Sequence, residues 1–151
     1  MMMANAAPFS KMIFVNLPVT DLKASTAFYE AVGATRNDDF ADDSAQMISF
    51  SDTIHAMLLT HERFNSFTSR TIPDAHATAQ VMLALSEASR EDVSVTVEKA
   101  LAAGGTEPNP AQDHGFMVSR SFADPDGHIW EVLWMDMEAA MATRTEDAPA
   151  A

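Results

Sequence analysis

Cysteine is absent from all 151 residues, which removes disulfides, thiolate metal centres and cysteine nucleophiles from consideration and fits a reducing, cytoplasmic setting. Glycine is scarce, at five residues, and neither a Gly-rich phosphate loop nor a Gly-x-Ser-x-Gly elbow is present. Nine basic residues stand against 22 acidic ones, for a net charge of −13. Such a surface repels nucleic acid and anionic membranes, so neither is expected as a partner. No apolar run approaches the roughly 20 residues that a membrane helix needs, and Met1 to Phe9 lacks the features of a signal peptide. Much of the acidity reads as solvated surface: Asp38, Asp39, Asp42 and Asp43 crowd an expected turn, and Glu138, Glu146 and Asp147 fall near the end of the chain.

What is present has a pattern that occurs twice. Ile13 to Val19 is a β-branched and apolar run. Thr20 or Asp21 can cap a helix on which Leu22, Phe28 and Val32 recur at helical spacing before Gly33 stops it. Val81 to Ser86 reads as another strand, Ser89 can cap, and Val93, Val97, Ala100 and Leu101 repeat at helical spacing up to Gly104. Asp21 and Asp92 are 71 residues apart, as are Gly33 and Gly104, and the same shift carries the strand Gln46 to Phe50 onto Met117 to Ser121. Each half closes with a hairpin into a last strand, near Thr53 to Thr60 and His128 to Met135. The pattern predicts a duplicated α+β fold with mixed sheets. It divides the chain into a flexible start (1–10), a first module (11–60), a linker or lid (61–79), a second module (80–136) and a flexible tail (137–151).

One carboxylate interrupts an apolar strand. In Ile129 to Trp134, alternation sends Ile129, Glu131 and Leu133 to one face and Trp130, Val132 and Trp134 to the other. A charge between apolar faces must meet a cavity or a neutralising partner, because an unpaired buried charge is costly. Arg120, on the neighbouring strand with Phe116, Val118 and Phe122, is the cation available to pair with Glu131. Without it, Glu131 is placed to act as a general acid or base. The histidines His55, His61, His76, His114 and His128 show no His-x-Glu or His-x-x-x-His spacing. Phe64, Phe67 and Arg70, in the long linker, can either close over a ligand or pack the protein together.

From Met12 to Met135 the chain resembles the vicinal oxygen chelate superfamily, which includes glyoxalase I, bleomycin resistance proteins and extradiol dioxygenases. The resemblance rests on Val19-Thr20-Asp21-Leu22 with Ala27-Phe28-Tyr29, on the glycine after that helix, and on Phe122-Ala123-Asp124-Pro125-Asp126-Gly127-His128 with Glu131 three residues on. It implies two βαβββ modules forming a half-open mixed-sheet barrel, commonly as a homodimer, with metal ligands on the first and last strands of each module. At those positions this sequence has Phe14, Met57 or Leu58, and Met82, and only Glu131 is of ligand type. One ligand of four does not hold a catalytic metal, which needs about three protein donors.

The family register sends Phe14, Asn16, Met82, Ala84, Ser86 and Glu131 into one interior, with Met57 and Met117 nearby. The expected ligand-binding residues are therefore Phe14, Asn16, Met57, Met82, Ser86, Met117, Arg120 and Glu131, with Glu131 the candidate catalytic group. The expected ligand is a small, partly apolar molecule, and the expected cofactor is none. The alternative is a metal-dependent lyase, isomerase or extradiol-type dioxygenase in which His55 joins Glu131 on a divalent ion.

Overall fold

The computed structural model describes residues 9–147, in the order β1 (Ile13–Val19), α1 (Leu22–Val32), β2 (Thr35–Asp42), β3 (Ala45–Ser49), β4 (Ile54–Thr60), α2 (His61–Asn65), β5 (Leu83–Ser86), α3 (Arg90–Ala102), β6 (Gln112–Asp113), β7 (Met117–Ala123), β8 (Ile129–Met135) and α4 (Met137–Asp147). The described residues fall into two compact units. One runs to Thr26 and resumes over Ala34–Ile72; the other takes Ala27–Gly33 and the chain from Pro73 onward. Each unit holds one mixed four-stranded sheet, with order β1-β4-β3-β2 in the first and β5-β8-β7-β6 in the second. In both, the first and last strands of the module pair in parallel and the hairpin strands pair antiparallel. The expected α+β, two-module βαβββ organisation is therefore the fold.

Local chemistry explains where the helices begin. Asp21 accepts the backbone N–H of Ala24 on Oδ1 at 3.0 Å, and Ser89 accepts that of Asp92 at 3.1 Å, so each helix start has a side-chain oxygen satisfying an orphan donor. Gly33 and Gly104, both at positive φ, end the two helices. The repeat is less regular than a constant shift of 71. The caps Asp21 and Ser89 lie 68 residues apart and the two glycines 71 apart. Part of that growth is the extra length of α3, with 13 residues against 11 in α1.

In the first unit, one sheet face carries Leu17, Val19, Ile48, Ala56 and Leu58, all buried. Complete burial of the valine, leucine and isoleucine side chains among them contributes about 1.5–3 kcal/mol each. α2 packs on β1 and β4, and Thr60 caps it by accepting the N–H of Arg63. In the second unit, α3 lays Val93, Val97 and Ala100 against β7 and β8, while Phe28, Tyr29, Phe122 and Trp130 form an aromatic cluster. Phe28 meets Tyr29 edge-on at 5.2 Å, and Phe122 stacks with Trp130 at 6.4 Å.

Asp124 organises the turn between β7 and β8. Its Oδ1 accepts the N–H groups of Asp126 and His128, each at 2.9 Å. Its Oδ2 accepts the Tyr29 hydroxyl at 2.6 Å, and Tyr29 in turn accepts the Trp130 indole N–H at 2.9 Å. Burial pushes the Asp124 carboxyl up from its usual range despite the opposing influence of His128 and Tyr29. Burial, reinforced by Asp124, holds the Tyr29 phenol well above its usual value. Gly127 completes the turn at φ +92°, where an added Cβ would lie 2.7 Å from the backbone nitrogen of His76.

Two segments differ from the reading of the sequence. The expected linker 61–79 opens with a helix, α2, and the part of the expected tail over Met137–Asp147 is α4. Of the two ends expected to be flexible, residues 1–8 and 148–151 lie outside the described residues. Among the described residues no helix is long and apolar enough to cross a membrane.

Candidate functional site

Pairing across β5, β8 and β7 sets the face on which Glu131 lies. Ala84 pairs with Glu131 and Ser86 with Leu133; Ser121 pairs with Glu131, Ser119 with Leu133 and Met117 with Met135. Directly paired residues share a face, so Ser86, Met117 and Glu131 lie on the same side of the second sheet, with Ser119, Ser121, Ile129 and Leu133. Trp130, Val132 and Phe122 occupy the other side and are buried. Met82 immediately precedes β5 and is 55% exposed. Glu131 is half-buried, and none of the described residues gives its carboxylate a hydrogen bond or an ion pair. No strand residue on this face is basic.

Arg120 does not neutralise Glu131. It pairs with Val132 across the hairpin and so points to the opposite face. There it donates Nε and an Nη to the two carboxylate oxygens of Glu107 at 2.9 and 2.8 Å, with Glu98 at 3.0 Å. These hydrogen bonds hold the Glu107 carboxyl below its usual range and the guanidinium above its own. The expectation failed because the turn at Asp124 sets Ser121, rather than Arg120, opposite Glu131.

In the first unit, Phe14 pairs with His55 and Asn16 with Met57, while Met47 pairs with Met57 and Ser49 with His55. These six side chains therefore share a face. Phe14 and Asn16 are exposed, Ser49 and Met57 half-buried, and His55 buried. The Phe14 and His55 rings stack with centroids 4.9 Å apart and planes 20° apart. Asn16 lies five residues before the cap Asp21, as Ala84 lies five before Ser89. Since Asn16 pairs with Met57 and Ala84 with Glu131, Met57 occupies in the first unit the place that Glu131 holds in the second.

His55, the histidine of the metal-dependent alternative, lies on this face. The parallel pairing of β1 with β4 puts it there directly. Both its ring nitrogens are engaged, Nδ1 with Ser49 Oγ at 2.7 Å and Nε2 with the Asp52 carbonyl at 3.2 Å. The Ser49 contact went unnoticed in the sequence; alternation along β4 and the short hairpin to β3 were the signals that could have revealed it. Of the linker residues, Phe67 is exposed beneath the Arg63 guanidinium at 5.4 Å, and Phe64 is half-buried.

The donor set does not fit the divalent metal that the resemblance implies. Phe14, Met57 and Met82 offer no hard donor, both His55 nitrogens are engaged, and no group of three His, Asp or Glu side chains among the described residues is placed to hold an ion.

A protein of two βαβββ modules, each a parallel-closed mixed sheet with one face of mixed polarity, is defined by this geometry. The sequence profile of the Glyoxalase/Bleomycin resistance protein/Dioxygenase superfamily matches residues 11–132, and the chain belongs to that superfamily. No curated protein sequence matches it. Among solved structures, it is similar to a hypothetical protein of S. aureus with TM-score 0.70 and 25% identity, covering 85% of this chain and 95% of that one. A glyoxalase/bleomycin resistance protein/dioxygenase family enzyme of Burkholderia phytofirmans PsJN gives 0.69 and 18%, covering 83% and 99%. A bleomycin resistance determinant encoded on the transposon Tn5 gives 0.59 and 17%, covering 84% and 99%. The last two likenesses concern the fold alone.

Proposed function

We propose that the protein binds a small, partly apolar molecule bearing a cationic group, without the metal set of its metal-dependent relatives. The observation that carries this reading is Glu131, a half-buried carboxylate with no cation among the described residues, on a face that also presents Met117, Ile129, Leu133 and the hydroxyls of Ser86 and Ser119. A carboxylate so placed favours a ligand ammonium or guanidinium, while thioethers and aliphatic side chains adapt to its apolar body. The net charge of −13 draws cations from solution. The acting form is a cytoplasmic homodimer; apolar Met12, Ile13 and Phe14 at the β1 edge, and Val81 and Met82 ahead of β5, are exposed and available to such an association.

Thermal-shift titration with matched pairs of amphiphilic amines and their neutral isosteres tests the reading. A ligand at 100 times its Kd stabilises by about 2.7 kcal/mol, a rise of roughly 5–10 °C for a chain of this size. The amines should raise Tm in the wild type and lose about tenfold in affinity on Glu131→Gln, whereas the isosteres should do neither. Elemental analysis after dialysis against nickel, zinc, manganese or ferrous iron should find no stoichiometric metal. About one metal per chain, lost on Glu131→Gln, would overturn the reading in favour of a metal-dependent lyase, isomerase or dioxygenase.

A further inference from the structure

We infer that Ser49 and His55 form a nucleophile and base pair able to transfer small acyl groups, an activity separate from ligand binding at Glu131. The tautomer of the neutral ring is fixed by its surroundings. A backbone carbonyl can only accept, so Nε2 facing the Asp52 oxygen at 3.2 Å carries the hydrogen. In that neutral tautomer Nδ1 carries the lone pair, and the Ser49 hydroxyl donates to it at 2.7 Å. That contact is the single bond Ser49 Oγ makes to the described residues, which leaves its own lone pairs free for attack. The three parts required of an activated serine are in place: a hydroxyl, a base within hydrogen-bond reach, and a third group orienting the base. The Asp52 carbonyl also stabilises the imidazolium that forms when Nδ1 takes a proton.

Rigidity favours the same role. His55 is 7% exposed, flanked by Phe14 in a parallel stack at 4.9 Å and tied at both nitrogens, so the base is held in one orientation. Ser49, at the end of β3, is only half-buried. In the step, Ser49 Oγ bonds to the ester carbonyl carbon while its proton passes to His55 Nδ1. The bond to the leaving alcohol breaks and the alcohol departs with that proton. Water then attacks the acyl-serine, giving its proton to Nδ1; the carboxylic acid leaves and the serine hydroxyl is restored.

The first experiment treats the 151-residue chain with an alkyl fluorophosphonate and maps the adduct by mass spectrometry. Ser49 should be phosphonylated in the wild type, while His55→Gln should react at least about 100-fold more slowly. The second uses the absence of native cysteine: Ser49→Cys introduces the only thiol of the chain, whose alkylation by iodoacetamide at pH 6.5 can be compared with that of N-acetylcysteine. A free thiol is about 1% ionised there, so pairing with His55 should accelerate the reaction by about tenfold or more. That comparison holds whether or not His55→Gln folds. No adduct at Ser49 above that at other serines, together with a thiol no faster than N-acetylcysteine, would overturn the inference. Both results are independent of amine binding, so failure here leaves the proposed function standing, and the reverse.

Discussion

The two units use one plan for different chemistry. At matching places, five residues before the helix cap and directly across on the last strand, the first unit has Asn16 and Met57 and the second has Ala84 and Glu131. One sheet face thus presents a thioether and a stacked Phe14 and His55 pair, and the other presents a carboxylate among serines and aliphatic groups. Duplication kept the backbone pairing and let each face take its own side chains. The hairpins differ too. The second is fastened by Asp124, with two turn N–H groups and the Tyr29 hydroxyl on one carboxylate, whereas in the first the Ser51 side chain accepts the Thr53 N–H at 3.3 Å in an exposed turn.

The difference in fastening can be broken most directly at Asp124. Replacing it by Ala removes the acceptor of the Tyr29 hydroxyl and of two turn N–H groups, and should cost about 3 kcal/mol or more in urea unfolding. Its pH dependence has a definite sign. Because burial raises the folded-state value of Asp124, its contribution is fullest below the ordinary carboxyl range and diminishes as pH rises through the folded value. The difference between wild type and Asp124→Asn, followed from pH 4 to 7, should therefore narrow upward. Gly127→Ala should cost about 2 kcal/mol, since it combines positive φ with a backbone clash at His76.

Exchanging the distinguishing residues sharpens the contrast. Glu131→Met should stabilise by about 1 kcal/mol while abolishing amine binding, and Met57→Glu should destabilise by about the same amount, because a half-buried carboxylate gains no partner there. Chemical denaturation with the amine titration in parallel separates the two effects. A change without effect on ligand binding concerns Glu107, whose pKa is lowered by its hydrogen bonds to Arg120. Glu107→Gln should cost about 1 kcal/mol near pH 7, with the loss fading as pH falls through the lowered folded value.

Elements governed by local spacing were legible in the sequence. Asp21 and Ser89 act as caps, Gly33 and Gly104 end the helices, and alternation correctly put Glu131 on the side away from Trp130 and Val132. What depends on register between strands was not. Arg120 alternates with Val118 and Phe122 as read, yet only the hairpin geometry decides whether it or Ser121 faces Glu131. The stack of Phe14 on His55 depends on a parallel pairing between β1 and β4, which no local pattern encodes. Tyr29 and Asp124 are 95 residues apart, beyond the reach of any periodicity. The helix α4 could have been found, since Ala139, Ala140 and Ala142 with Met137 and Met141 are strong helix formers.

Trp130 and Trp134 both lie in β8, and the single tyrosine, Tyr29, bonds to Trp130. All the near-ultraviolet fluorophores that report on folding therefore reside in the second unit, and the first is optically silent apart from its phenylalanines. Intrinsic emission gives an unlabelled view of one half of a duplicated protein, and a tryptophan placed at Phe14 would make the other half visible.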